Sequence, residues 1–293
     1  MRFSKAKTLA ACLLLALSLA ACGDDDDDGA EVEVADQPEF ASGTTMAELS
    51  EAGKVTIGVK YDQPGIGFLE PGADEPSGFD IEVAKIVAAE LGIAPGDITW
   101  KETVSDNREP FLQNGTVDLV FASYSITDER RGVVGQAGPY YVTGQQLLVR
   151  TEDAEKITGP NELDGVKVCS VTGSTSIETV TKEYDAKPVP FDTYSDCVTQ
   201  LQNDSVDAVT TDGAILLGYA AQAPEELKVV GEAFSEERYG VGFKKDDAEM
   251  CDFLTETLQT AMDNGEWAKA FEATLGQSGV ETPEPPKLDA GCK

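Results

Sequence analysis

Short β-branched runs alternate along this chain with segments whose apolar residues recur every three or four positions. Val55-Thr-Ile-Gly-Val-Lys60 reads as a strand, closed by the Pro/Gly-rich loop 62–68. From Gly78 a helix is expected, with Ile81, Val83, Ile86, Val87 and Leu91 apolar and Gly92 as its stop. A short strand at 98–101 precedes a helix over 106–114, with Pro110 in its first turn and Gly115 just past its end. Residues 117–121 form an apolar strand that opens into a turn bearing Ser123, Ser125 and Thr127, followed by Arg130 and Arg131. Another strand covers 145–150. The pattern then restarts: strand 166–171, a helix opened by Thr172-Gly-Ser-Thr-Ser176, a short strand after Val189-Pro190, a helix at 194–203, and a strand at 208–211 that ends at Asp212. A helix at 214–223, strands at 227–230 and 239–243, and helices at 246–264 and 267–274 complete the series. The tail 281–293 is Pro-rich and irregular. Strands alternating with helices predict parallel sheets.

Blocks 55–146 and 166–212 run the same succession of elements, each ending in a strand with a polar turn. This implies two α/β lobes whose loops, at the carboxyl ends of the strands, face one another across a cleft. The chemistry of those loops suits a small anion. Arg130 offers a planar fork that matches a carboxylate bidentately. Ser174 and Thr175 open a helix, where unpaired N–H groups meet an anion and where a hydroxyl also serves as a cap.

The amino terminus adds a destination. Arg2, Lys5 and Lys7 precede a nearly apolar stretch, 8–19, too short to span a bilayer, so residues 1–21 read as an export signal. Leu19-Ala-Ala-Cys22 resembles a bacterial lipobox, which implies cleavage before Cys22 and acylation of that residue. Five consecutive Asp residues follow, and 22–43 is expected to be an acidic, flexible tether. The expected location is the outer face of the bacterial cytoplasmic membrane, held by lipid.

Composition removes several classes of function. The 293-residue chain carries a formal net charge of −32 and no histidine. The charge argues against a nucleic-acid partner. The lack of histidine excludes Ser-His-Asp and Cys-His catalysis and His-ligated metal. No cofactor and no metal site are expected. Besides Cys12 and Cys22 there are Cys169, Cys197, Cys251 and Cys292, with no Cys-x-x-Cys pair. Export permits disulfides, and four cysteines allow three connectivities.

Four ordered motifs carry a family resemblance over about 50–275: Gly78-Phe-Asp-Ile-Glu-Val-Ala, Asn114-Gly-Thr-Val-Asp-Leu-Val, Ser125-Ile-Thr-Asp-Glu-Arg with the later Pro139-Tyr-Tyr, and Val206-Asp-Ala-Val-Thr-Thr-Asp. They resemble the polar amino-acid-binding solute receptors of bacterial ABC importers (type II, bilobal, family 3), most of all the glutamate- and aspartate-binding members. Gly135-Gln-Ala-Gly138 departs from the Val-Asp-Phe-Ser run of many relatives. The resemblance implies an α/β fold of two lobes, each a mainly parallel sheet flanked by helices, joined by two hinge crossings at about 145–148 and 239–242. Residues 44–146 and 243–293 then form lobe 1, and 147–242 lobe 2. It implies a monomer that is not an enzyme and that hands its ligand to a membrane permease.

The same resemblance assigns roles. Arg130 and Ser125 grip the ligand α-carboxylate, and Gly173, Ser174 and Thr175 close over it from the second lobe. Asp212, with Ser123, accepts from the α-ammonium. Lys60 and Arg108 meet a distal carboxylate, and Phe68 supplies an apolar wall. A dianionic ligand with one ammonium needs more than one cation, because an unpaired buried charge costs several kcal/mol. A chain this acidic repels anions at long range, so the pocket must be locally positive. Since a bond between lobes would clamp the hinge, Cys169–Cys197 and Cys251–Cys292 are the preferred pairs. Two rivals share the fold. One is a dehydratase of small carboxylic acids, with Glu70, Glu178 or Asp212 as acid or base. The other is a sensing subunit for a neutral amino acid such as glutamine.

Overall fold

A computed structural model describes residues 32–292. The expected signal segment 1–21 and Cys22 lie outside the described residues. The chain begins lobe 1 with α1 (Thr45–Ala52), capped by Thr44, then β1 (Val55–Val59) and the hairpin of β2 (Asp62–Gln63) and β3 (Gly67–Phe68). It continues through α2 (Phe79–Glu90), β4 (Ile98–Glu102), α3 (Arg108–Asn114), β5 (Leu119–Phe121), α4 (Asp128–Arg131) and β6 (Gly135–Thr143). Lobe 2 follows: β7 (Gln145–Arg150), β8 (Lys167–Val171), α5 (Thr175–Glu183), β9 (Lys187–Phe191), α6 (Tyr194–Gln202), β10 (Ala208–Asp212), α7 (Gly213–Gln222) and β11 (Leu227–Val230). The chain then returns to lobe 1 with β12 (Glu237–Phe243), α8 (Ala248–Asn264) and α9 (Glu266–Ala273).

The first sheet has the order β4-β1-β5-β12-β6, and the second β11-β7-β10-β8-β9. Both are mixed, which corrects the expectation of mainly parallel sheets. β1 runs parallel to β4 and β5, and β8 parallel to β9 and β10. The reversed strands are those next to the crossings: β12 is antiparallel to β5 and β6, and β7 antiparallel to β10 and β11. A strand that enters a lobe straight from its neighbour has no crossover helix to turn it around.

The crossings also sit upstream of their expected positions. Gln145 to Leu148 pair with β10, and Tyr239 to Gly242 pair with β6, so neither stretch is a connection. The chain passes between sheets at Gly144, and again between β11 and β12. The two passages touch there: a Cβ at Gly144 would lie 2.4 Å from the Ser235 carbonyl oxygen, and Phe234 N–H donates to Gln145 O (2.9 Å). β12, assigned mostly to lobe 2 from sequence, is therefore a strand of the first sheet. The cause of the misplacement is β6, a nine-residue strand whose Gly135, Gly138 and Pro139 hide its pattern.

Residues 32–43 are not a free tether. Val32 and Phe40 pack on the lobe 1 core, Phe40 edge-on to Phe253 at 5.7 Å, and Ala35 N–H donates to Ala89 O. Apolar side chains in that stretch outweigh its acidic ones. Beneath the cleft, Phe79 is fully buried and meets Tyr140, Tyr141, Trp267 and Phe271 with ring centroids 5.4–6.2 Å apart. Disulfides join Cys169 in β8 to Cys197 in α6, and Cys251 in α8 to Cys292 in the tail. Each lies within one lobe. Among the described residues no helix is long and apolar enough to cross a membrane.

Candidate ligand-binding site

The cleft is built where strand ends from both lobes meet. β5 ends at Phe121 and delivers a turn in which Ser123 has φ +43°, a conformation few side chains adopt freely. It is held there by Asp80, at the start of α2. Asp80 Oδ2 accepts from Ser123 N (2.7 Å) and Oδ1 from the Tyr140 hydroxyl (2.7 Å). Burial raises the Asp80 carboxyl to about 6 against the pull of those two donors.

Two guanidiniums converge on the second lobe. Arg130 stands on α4, whose N-cap Thr127 accepts from Arg130 N. Its Nη1 donates to Ser125 O (2.7 Å) and its Nη2 to Gly173 O (2.9 Å), with Nε 3.2 Å from Glu109 Oε1. Arg108, the first residue of α3, donates to Ser105 O, Ala122 O and Ser123 O, and through Nη2 to Gly173 O (3.1 Å). Both stack over the Tyr124 ring, at 4.6 and 5.1 Å from its centroid. Gly173 must be glycine. Its φ is +76°, and a Cβ would lie 2.9 Å from the Asp106 backbone across the cleft.

Lys60, directly after β1, is 3% exposed, and its Nζ donates to Ser105 Oγ (2.8 Å). Burial, then the neighbouring Arg108 charge, lowers its ammonium to about 7. On the other wall, Ser174 caps α5 by accepting from Ile177 N (3.1 Å), and Thr175 Oγ1 donates to Glu237 Oε2 (2.9 Å). Asp212 closes β10. Its Oδ2 accepts from the Tyr239 hydroxyl (2.6 Å), while its buried Oδ1 has no partner among the described residues. Burial, followed by the charge of Glu237, pushes this carboxyl up to about 7.

Arg108, Ser123, Ser125, Ser174, Thr175 and Asp212 line one cavity between the lobes, with Ser105, Ser176, Tyr194, Thr211 and Ile215 completing it. Lys60 reaches this cavity through Ser105. Arg130 and Gly173 stand at its edge and face an adjoining groove with Asp106 and Glu178. Phe68 is half-buried in β3, outside the cavity lining. Sequence reasoning passed over Ser105, Tyr194 and Thr211, and the buried partners Asp80, Tyr140, Tyr239 and Glu237. Asp80, Tyr140 and Thr211 lie inside the family motifs, and Tyr194 at a helix start, so these left a trace. Ser105, Tyr239 and Glu237 are joined to the site only by folding.

Two lobes, each with strand ends facing a polar cavity, and a buried carboxylate set opposite clustered cations, define a solute-binding protein of the type II two-lobed class. Residues 55–277 match the sequence profile of the bacterial extracellular solute-binding proteins, family 3, and the chain belongs to that family. It is 38% identical over 283 residues to the glutamate-binding protein GluB of Corynebacterium efficiens, covering 93% of this chain and 90% of that one. It is 35% identical to a glutamine-binding protein of Geobacillus stearothermophilus, covering 85% and 96%. Among solved structures it is similar to a solute receptor for L-cysteine of Neisseria gonorrhoeae, with a TM-score of 0.77 and 26% identity over 84% of this chain and 99% of that one.

Proposed function

We propose that this protein captures an acidic amino acid, with glutamate as the first candidate, and delivers it to the permease of an ABC importer. The observation that carries the reading is Asp212 Oδ1, a buried acceptor with no partner among the described residues, in a cavity whose other charged lining residue is Arg108. An unsatisfied buried carboxylate oxygen is costly, and a ligand ammonium relieves it. Arg130, with Ser125 and the start of α5, then takes the α-carboxylate. Lys60, buried and donating to Ser105, faces the distal carboxylate. The relationship to glutamate-binding relatives over most of the chain supports the same choice. Capture rather than turnover is the reading its relatives support, since they are solute-binding proteins.

One observation favours glutamine as a second reading. Arg108 donates to four backbone carbonyls, which leaves it less free to meet a side-chain carboxylate. Calorimetric titration of the protein with glutamate, aspartate, glutamine, asparagine and arginine separates the two. Tight binding of glutamate or aspartate alone, lost by about a hundredfold in Lys60→Met, supports the dianion pocket. Preference for glutamine sinks it and leaves the receptor standing. The lipid anchor on Cys22 belongs to the same proposal, and it predicts an acylated amino-terminal peptide by mass spectrometry of the membrane fraction.

A further inference from the structure

Over residues 280–292 the described chain forms no helix or strand, yet it is fastened to lobe 1 at several points. Cys292 is bonded to Cys251, and its carbonyl accepts from Gln136 N (3.2 Å). Asp289 N donates to Gly138 O (2.7 Å). The Asp289 carboxylate accepts from Arg131 Nη2 at 2.8 Å on one oxygen and from Arg238 Nη2 on the other.

Those two arginines stand on the segments that carry the site. Arg131 ends α4, beside Arg130. Arg238 lies in β12, and its carbonyl accepts from Ile126 N (2.7 Å), next to Ser125. A four-residue helix is one turn, too short to hold itself. Its amino end is capped by Thr127. Its carboxyl end is closed by Gly132 N on Asp128 O and by Lys245 Nζ on Gly132 O, and beside them stands Arg131, whose Nη2 also reaches Gln136 O (3.1 Å) and whose buried Nε has no partner among the described residues. Gln136 in turn accepts from Thr127 N and donates to Ser125 O, the carbonyl that receives Arg130 Nη1. Removing the Asp289 charge leaves a mostly buried guanidinium with a single carbonyl, and such a group moves out toward water.

We propose that Asp289 is a positioning residue for ligand capture. The disulfide-fastened tail is a strap that joins α4 to β12 and thereby sets Arg130 and Ser125 in the cleft. The effect on affinity rests on Arg130 as the carboxylate grip; the effect on α4 does not.

The test uses the intact protein and four variants: Asp289→Asn, Asp289→Glu, Cys251→Ser/Cys292→Ser, and Asp289→Asn combined with the cysteine pair. Amide hydrogen exchange of peptides spanning 125–131 and 238–242 is followed without added amino acid, and glutamate association and dissociation rates are measured separately. Exchange is expected to quicken several-fold over 125–131 in Asp289→Asn and in the cysteine pair. Combining them adds nothing, because both release the same strap, and Asp289→Glu restores much of the protection. Glutamate dissociation quickens about three- to tenfold while association is unchanged. Faster exchange confined to the tail, or additive effects of the two lesions, overturns the proposal. Altered exchange over 125–131 in a protein that never binds glutamate keeps the strap and removes the ligand reading.

Discussion

Asp212 shows how a buried carboxylate in the cleft opposes folding at the level of one side chain. Its carboxyl is held near 7 by burial and by Glu237, against about 4 in an unfolded chain. Between those values the folded protein binds more protons than the unfolded one, so this group's contribution to stability falls as pH rises from about 4 to about 7. Asp212→Asn keeps an oxygen for the Tyr239 hydroxyl and removes the charge. It is expected to raise the melting temperature without added ligand, by more at pH 8 than at pH 4, while weakening glutamate about a hundredfold or more. An equal rise at both pH values would show that ionisation of Asp212 is not the source of the strain. At this scale the sequence discloses polar residues on strand-end turns, which is why Arg130 and Asp212 are readable. It does not disclose Asp80 under Ser123 or Tyr239 under Asp212, because those pairs are separated by 43 and 27 positions along the chain.

Elements that meet across the cleft carry glycines where their backbones approach. Gly218 lies inside α7 of lobe 2, and a Cβ there would fall 2.3 Å from the carbonyl oxygen of Pro64 in the lobe 1 hairpin. Within a helix, Gly→Ala is normally worth about 0.5–1 kcal/mol of stability. Gly218→Ala is therefore expected to raise the urea midpoint of unfolding while holding the lobes ajar, with ligand affinity reduced about tenfold or more. Unchanged affinity in calorimetry would mean that α7 and the hairpin need not touch for binding. Legibility at this scale follows local pattern. β1 is an uninterrupted β-branched run and α2 has a clear apolar face and a glycine stop, so both are visible in the sequence. β6 is interrupted by two glycines and a proline, and its nine residues are strand only because β12 lies beside them. α1 is amphipathic over two turns alone, and its packing against α8 is a long-range event.

The molecule as a whole repels the ligand proposed for it. A formal charge of −32 surrounds a cleft built from Lys60, Arg108 and Arg130. Added salt shortens the reach of the surrounding field, to about 10 Å at 0.1 M, and leaves the buried cations largely unscreened. Glutamate association is thus expected to quicken as sodium chloride rises from about 10 to 150 mM, whereas a neutral amino acid shows no such trend. Stopped-flow rates that fall with salt would show that local positive potential at the cleft mouth dominates over net charge.

The order of strands in the first sheet has a consequence for how the chain matures. Lobe 2 is one unbroken stretch, complete once β11 has left the ribosome or the export channel. Lobe 1 is not, because β12 lies between β5 and β6 and is made after the whole of the other lobe. The part synthesised later therefore finishes its core first, the reverse of the usual amino-to-carboxyl succession. Until β12 arrives, β5 presents an unpaired edge to whatever is near. During vectorial synthesis the vulnerable half of this protein is the half that emerged earliest.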